Sequence, residues 1–566
     1  MTITSDAGNR PPPRPSLRPE AHGPGTLTAV SHADQSPNAQ QDGPGKHPGP
    51  PRPERVRAIP LADLAHQLGT AVPAAEAAVT GITHDSRAVR PGDIYAALPG
   101  ARFHGADFAA QAVELGAAAI LTDPGGTERA AATGLPVLTV DNPRARMGAL
   151  AVSIYGDPGA ELLQIGITGT SGKTTTAYLI DGGLRAAAEK AGGGLTGLIG
   201  TVESRIGDER LKSERTTPEA TDLQALFAVM RERGVRSVAM EVSSHALVLG
   251  RVDGCVFDVA VFNNLSPEHM EFHTGMEDYF QAKAQLFTKA RSRLGVVNFD
   301  DEYGRRLIEG ESEVPVTSFS AEGHPDAHWR AADVEVGTLG STFTVHGPDG
   351  VTVRAASPLA GPFNVANALA AITALVVAGV DPQTAADGVA AVPGVPGRLE
   401  RVDAGQDYLA VVDYAHKTDA VESVLRALRK VTEGKLHAVL GCGGDRDRSK
   451  RMPMGAAIAR LADTAVLTSD NPRSEDPLAI LATMLAGAAD VPSHERGTVL
   501  VEEDRAAAIA AAVARAEPGD TVIIAGKGHE QGQDIAGVVR PFDDRQVLRE
   551  AIESSLKLQQ QHDHQG

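Results

Sequence analysis

Cysteine is almost missing from this chain. Of 566 residues only Cys255 and Cys442 carry a thiol, which excludes a disulfide scaffold and a cysteine-only zinc site and agrees with a reducing cytosol. Basic charge is also scarce. Lys and Arg number 53 against 72 Asp and Glu, a net charge of −19, so a general nucleic-acid or anionic-membrane binder is disfavoured for want of a basic surface. Any anionic ligand must be held by locally concentrated donors. Long apolar runs are lacking as well. Met1 to Arg10 has no apolar core of signal-peptide length, and the longest run, Ala368 to Val380, is too short and Ala-rich to span a bilayer. A soluble, non-exported cytoplasmic protein is expected.

What is present fits ordinary folded domains: 42% hydrophobic and 22% charged residues, with length for roughly three or four domains. Twelve of the 36 prolines lie in residues 1–53, among Gly, Ser, Gln and His. Such a segment cannot offset its ordering entropy, so 1–57 reads as a disordered tail, and 557–566 as a short polar one. Three blocks lie between. The first, 58–157, alternates short strands (Ile94 to Leu98, Ala118 to Leu121) with the helical pattern Phe108 to Leu115. The second, 158–394, opens on the buried-strand run Leu162 to Ile167 and continues through strands Ser237 to Val242 and Val256 to Phe262. A Pro/Gly joint, Val392 to Gly397, leads to the third, 395–556. There three apolar strands each run into a polar loop: Gly441 to Arg446, Asp470 to Arg473, and Gly526 to Glu530. Apolar strands alternating with helices predict α/β domains with parallel sheets, whose ligands gather at the strands' carboxyl ends, where all three loops fall.

Gly169-Thr170-Ser171-Gly172-Lys173-Thr174-Thr175 follows a strand and precedes the helical pattern Thr176 to Ala188. Glycines let backbone N–H groups approach phosphates, and the helix N-terminus adds partial positive charge. Lys173 would reach the terminal phosphates and Thr174 would hold Mg²⁺. The motif is not a full Walker A, because Ile167 stands where its first glycine would be. Glu241 ends a strand where a carboxylate could face the loop and bind Mg²⁺; the alternative is an exposed glutamate opening a turn. Lys283 sits three residues after Phe280 and four before Phe287, beside the apolar stripe of a helix. It is either a snorkelling lysine or a functional amine kept neutral by burial.

Thr168 to Thr175 resembles the nucleotide loop of the Mur ligase family, the ATP-dependent amide-forming enzymes of peptidoglycan precursor synthesis, and the resemblance runs from about residue 80 to about 545. It implies a UDP-binding domain, a central P-loop ATPase domain and a Rossmann-like C-terminal domain. It implies Glu241 and His269 as metal ligands and Lys283 as a CO₂-derived carbamate. Asn367 would meet adenine, with Arg398, Asp413 and His416 around the same ATP; Arg398 and Asp413 could equally be a domain-docking ion pair. His84 and Ser86, with His104, Gly105 and Ala106, resemble the uridine-nucleotide loops. Thr216, Thr217, Ser243 and Arg251 resemble contacts to the muramoyl-dipeptide, although Leu249 replaces a glutamine common in relatives.

Asp470-Asn471-Pro472-Arg473 resembles the recognition motif of the branch that adds meso-diaminopimelate, and Arg446, Gly526 and Glu530 match further contacts of that branch. An Arg fork suits the carboxylate that distinguishes this amino acid from lysine, and Glu530 suits its distal ammonium. The resemblance thus implies ATP-dependent addition of meso-diaminopimelate to UDP-N-acetylmuramoyl-L-alanyl-D-glutamate through an acyl phosphate, by a monomer needing Mg²⁺. The alternatives are a lysine-adding relative, a folylpolyglutamate-type ligase, and a P-loop ATPase used as a switch.

Overall fold

The computed structural model describes residues 50–337 and 340–563, so most of the expected N-terminal tail lies outside the described residues. Its last part does not hang free: Arg52 donates to Ile82 O at 2.8 Å and also bonds the Tyr155 hydroxyl, while the Glu54 and Arg55 N–H groups bond the Glu232 carboxylate. Charged side chains, invisible to a count of aliphatics, hold this segment to the body.

The first domain is a four-stranded parallel sheet, Gly81–Thr83, Asp93–Ala97, Ala119–Thr122 and Val137–Thr139. Side chains alternate across it. Ile94, Ala96 and Leu121 pack toward the helix Arg144–Tyr155, whereas Tyr95, Ala97 and Ile120 enter a second cluster on the other face. A sheet covered on both sides needs apolar residues at every position, which is why its strands read as unbroken runs.

The central sheet has eleven strands. At its middle, Leu163–Thr168 pairs in parallel with both Val235–Glu241 and Phe257–Phe262. Ile165 and Ile167 face one core with the helices Lys173–Lys190 and Pro362–Val377; Val238 and Met240 face the other with Ala220–Glu232. The apolar run at 368–380 is mainly this second helix, buried from Ala368 through Leu375. It is apolar all round because it sits inside a core. Beyond the parallel strands the structure adds an antiparallel meander, Trp329–Gly337, Gly340–His346 and Thr352–Ser357, which the alternating strand-helix reading did not contain.

In the third domain the strand order is Glu400–Arg401, Leu409–Asp413, Thr521–Ala525, Leu436–Cys442, Thr464–Ser469, Thr498–Val501, parallel except for the first. The three polar loops therefore leave neighbouring strands at the same end. Before this sheet, Gly397 takes φ +66°, and a Cβ there would lie 2.2 Å from the backbone nitrogen of His529. Only glycine lets the joint pass the 526–530 turn. The C-terminal helix Asp544–Asp563 continues past residue 556, where the polar tail was expected to start.

Candidate active site

Because three parallel strands end side by side, their following residues converge. Glu241, Asn263 and Asn264 flank the loop 169–175. Asn264 clamps it, its Oδ1 accepting from Ser171 N–H at 2.8 Å and its backbone carbonyl from Thr170 N–H at 2.9 Å. Gly172 has φ +84°, and a Cβ there would come 2.3 Å from Asn367 Oδ1. Asn367, expected at adenine, thus stands against the start of the loop's helix.

Two lysines meet at one carbonyl. Lys173 Nζ donates to Gly169 O at 2.8 Å and Thr170 O at 2.9 Å, and Lys283 Nζ donates to the same Gly169 O at 2.9 Å. Lys283 is 1% exposed and its amine lies 4.6 Å from the Tyr279 ring centroid. A snorkelling lysine keeps its head in water; this one does not. Burial, then the nearby Lys173 charge, pushes the Lys283 pKa well below the ordinary lysine value, favouring the neutral, nucleophilic amine. Burial also lowers the pKa of Lys173, against the opposing charges of Glu268 and Glu241.

Glu241 is likewise 1% exposed, so it is not a surface turn residue. Its Oε2 accepts from Thr174 Oγ1 at 3.0 Å and Thr201 Oγ1 at 3.1 Å, and its Oε1 from Thr201 N–H at 2.7 Å. A hydroxyl and a carboxylate beside a phosphate loop fit Mg²⁺, which takes few protein oxygens and keeps water and phosphate as its other ligands. His269, in the loop that also carries Glu268, has φ +57°, its Nε2 3.3 Å from Glu268 and its ring 4.6 Å from that of His245. Among the described residues no three His, Cys, Asp or Glu side chains form a ready metal cluster.

A cleft of about 830 Å³ runs between the central and third domains, with Thr174, Glu241, His269 and Asn367 on one wall and Arg398, His416 and Lys417 on the other. Contacts already cross it. Lys417 pairs with Glu268, Ser266 Oγ donates to Asp419 at 2.9 Å, and Arg398 Nη2 donates to Thr174 Oγ1 at 3.3 Å while stacking 4.6 Å from the Tyr414 ring centroid. Burial would raise the Glu268 pKa, but Lys417, His269 and Lys173 bring it down to about 2. Asp413 spends its two oxygens on the Leu399 and Ala415 N–H groups, so it shapes the joint. Burial takes the pKa of His416 down to about 4.

The residues expected at the dipeptide ring Glu241. Thr217 Oγ1 donates to Glu241 O at 2.9 Å, Thr216 Oγ1 lies 3.0 Å from Thr201 Oγ1, and Ser243 caps the helix Ser244–Val248. Arg251 Nε donates to Glu219 at 2.8 Å. In the first domain, His104 caps its own turn through Ala106 N–H and bonds Asp123 at 2.8 Å, Tyr95 donates to Gly105 O at 2.8 Å, and Ser86 donates to Gln111 at 2.8 Å. The buried His84 Nδ1 has no partner among the described residues.

In the third domain the loops interlock. Arg473 takes the left-handed φ +52° and donates through Nη1 to Gly444 O at 2.8 Å, while its buried Nε has no partner among the described residues. A non-glycine residue held there costs about 1–3 kcal/mol, a pattern concentrated at functional sites. Gly526 lies against Asp470, with 2.8 Å from its would-be Cβ to a carboxylate oxygen. Arg446 is exposed on the 445–449 turn and is not among the residues bound into this network. Asn264, Glu268, Lys417 and Lys527 had no assigned role in the sequence; each works through a partner far along the chain, and only the paired Asn263-Asn264 at a strand end hinted at one of them.

Three family models match in chain order: the Mur ligase family catalytic domain over 78–155, the Mur ligase middle domain over 167–375, and the Mur ligase glutamate ligase domain over 397–528. The chain belongs to the Mur ligase family. It is 80% identical over 509 residues to a protein of Streptomyces avermitilis named UDP-N-acetylmuramoyl-L-alanyl-D-glutamate--2,6-diaminopimelate ligase, covering 90% of this chain and 99% of that one. It is 47% identical to a Corynebacterium glutamicum protein of the same name, covering 87% and 94%. A solved structure under that name aligns with TM-score 0.63 at 32% identity, covering 88% of this chain and all of the other. No helix among the described residues is long and apolar enough to cross a membrane.

Proposed function

We propose that this protein joins meso-diaminopimelate to UDP-N-acetylmuramoyl-L-alanyl-D-glutamate with cleavage of ATP to ADP and phosphate. The observation that carries the reading is the presence of two built loop sets: a phosphate loop with its buried lysines on the central domain, and the interlocked loops of Asn471, Arg473 and Glu530 on the third. An ATPase switch has no use for the second set.

The D-glutamate γ-carboxylate attacks the ATP γ-phosphorus and ADP leaves, giving an acyl phosphate. Lys173 and the loop N–H groups offset the charge of that transfer. Mg²⁺ would be held by Thr174, Glu241 and His269 and would supply further charge stabilisation. A carbamate on Lys283 is supported by the burial and depressed pKa of its amine. The free amine of diaminopimelate then attacks the acyl carbon, and phosphate departs from the tetrahedral intermediate. Arg398 and Lys417 draw the third domain over the loop and exclude water, which would otherwise hydrolyse the acyl phosphate. The Arg473 guanidinium, whose Nε has no partner among the described residues, is the group assigned to the distal carboxylate.

A lysine-adding enzyme is the nearest second reading. Lysine would bring no carboxylate to the half-buried Arg473 guanidinium, which disfavours it strongly. ATP-dependent product formation from the UDP-linked dipeptide, run with meso-diaminopimelate and with lysine on a protein expected to be cytoplasmic and monomeric, tests this. Equal or greater turnover of lysine would sink the assignment.

A further inference from the structure

One lysine of the third domain has no part in the chemistry above. Lys527 follows the strand Thr521–Ala525 and is 0% exposed. A buried lysine is costly unless its amine is hydrogen-bonded and paired. Here Nζ donates to Asn471 Oδ1 at 3.0 Å and pairs with Glu530 Oε2 at 3.1 Å. Asn471 Oδ1 also accepts from Asp534 N–H at 3.0 Å. Two donors on one atom fix it as the amide oxygen, so Nδ2 is the group that donates to Glu530 Oε2, at 2.9 Å. Glu530 thus takes both bonds on Oε2, and its side chain is 34% exposed. Oε1 is the oxygen that neither donor engages.

We infer that Lys527 is a positioning residue for amino-acid recognition: by fixing the Asn471 amide and one Glu530 oxygen, it presents the other oxygen to the distal ammonium of a diamino acid. The inference rests on the amino-acid site proposed above. A glutamate left free would have to give up rotamer freedom each time substrate bound; one already held does not. Two consequences separate this role from simple scaffolding. The loss on removing Lys527 falls on the amino acid and not on ATP, and it depends on Glu530.

The test compares Lys527→Met, Lys527→Gln, Glu530→Gln and the double variant Lys527→Met/Glu530→Gln. The KM for meso-diaminopimelate is expected to rise about 10- to 100-fold in either Lys527 variant, with the KM values for ATP and the UDP-linked dipeptide within about twofold of wild type. In the Glu530→Gln background the added Lys527→Met should change that KM by less than about twofold, because the two act as one unit. As an inhibitor, 2-aminopimelate, which lacks the distal amine, should bind the wild type and Lys527→Met about equally. An equal penalty in the Glu530→Gln background, a parallel rise in the KM for ATP, or loss of folding in both Lys527 variants would assign Lys527 to scaffolding and overturn the inference. Wild-type protein that does not use meso-diaminopimelate at all would instead overturn the assignment of the site.

Discussion

The nucleotide cleft and the amino-acid pocket handle charge in opposite ways. At the cleft, Lys173 and Lys283 point at backbone carbonyls, both sharing Gly169 O, and burial lowers the pKa of each. At the pocket, charges are paired side chain to side chain: Lys527 with Glu530, Arg451 with Glu475, and Arg505 with Asp544 in a fully buried fork of 2.7 Å bonds. The first site aims its lysine amines and loop N–H groups at one spot without pairing those amines to a side-chain anion, an arrangement that a phosphate would complete. The second is nearly neutral in itself and keeps a few aimed groups free. A site for ATP must gain charge when its ligand arrives, whereas a site for a zwitterionic amino acid must discriminate by geometry.

The sharpest way to break this contrast is to remove charge from the cleft. Lys173→Ala should lower kcat by about 1,000-fold, as expected when a preorganised charge at a transferring phosphoryl group is lost. Lys283→Ala should abolish product formation in a manner that added bicarbonate does not restore; an active alanine variant would refute the carbamate role. Both are read by ADP release coupled to product. In the pocket the expected loss is smaller and selective. Arg473→Met should lower kcat/KM for meso-diaminopimelate by about 100-fold while leaving the KM for ATP unchanged. If discrimination against lysine survives that change, the fork is not what reads the second carboxylate.

The two sites also differ in how far the sequence betrays them. Strand cores were legible to within a residue, as where the runs Ile94 to Leu98 and Ala118 to Leu121 are the strands Asp93–Ala97 and Ala119–Thr122, because a doubly covered parallel strand is apolar at consecutive positions. The phosphate loop was legible because its chemistry is local: one strand end, one turn and one helix start supply it. Lys283 stood out by its place on an apolar stripe. Lys417 and Lys527 did not stand out, since Lys417 pairs with Glu268 and Lys527, besides its near neighbour Glu530, bonds Asn471, 56 residues away. Periodicity carries no information about such pairs. The antiparallel meander 329–357 escaped for another reason: at the sheet edge its strands are half exposed, and mixed polarity hides them.

Where the two sites touch, the contrast becomes testable as motion. Lys417 reaches from the third domain to the half-buried Glu268 beside the phosphate loop. Removing one partner of such a pair leaves the other desolvated. Lys417→Met should therefore loosen closure, lowering kcat by about tenfold and reducing the compaction that small-angle scattering detects when a non-hydrolysable ATP analogue is added. An unchanged scattering profile would place closure with Arg398 and the Pro/Gly joint instead.

The smallest expected effect sits at the rim of the pocket, where Glu475 ties the 443–448 turn to its helix. Its carboxylate accepts from Arg451 at 2.8 and 3.1 Å and from Asp445 N–H at 2.7 Å. The Arg451 bonds, followed by the Asp445 N–H, hold its pKa down at about 2 against the ordinary 4.5. A depressed carboxylate pKa contributes stability that is complete above the unfolded value and is lost as pH falls through the folded one. The contribution should therefore be full above pH 4.5 and disappear progressively toward pH 2. Glu475→Gln cannot titrate. Its melting temperature should lie below that of the wild type at neutral pH, and the gap should close as pH falls from 4.5 to 2. A gap constant across that window would mean that Arg451 is held by packing alone, and the pocket's rim would then resemble the cleft more than the paired interior beneath it.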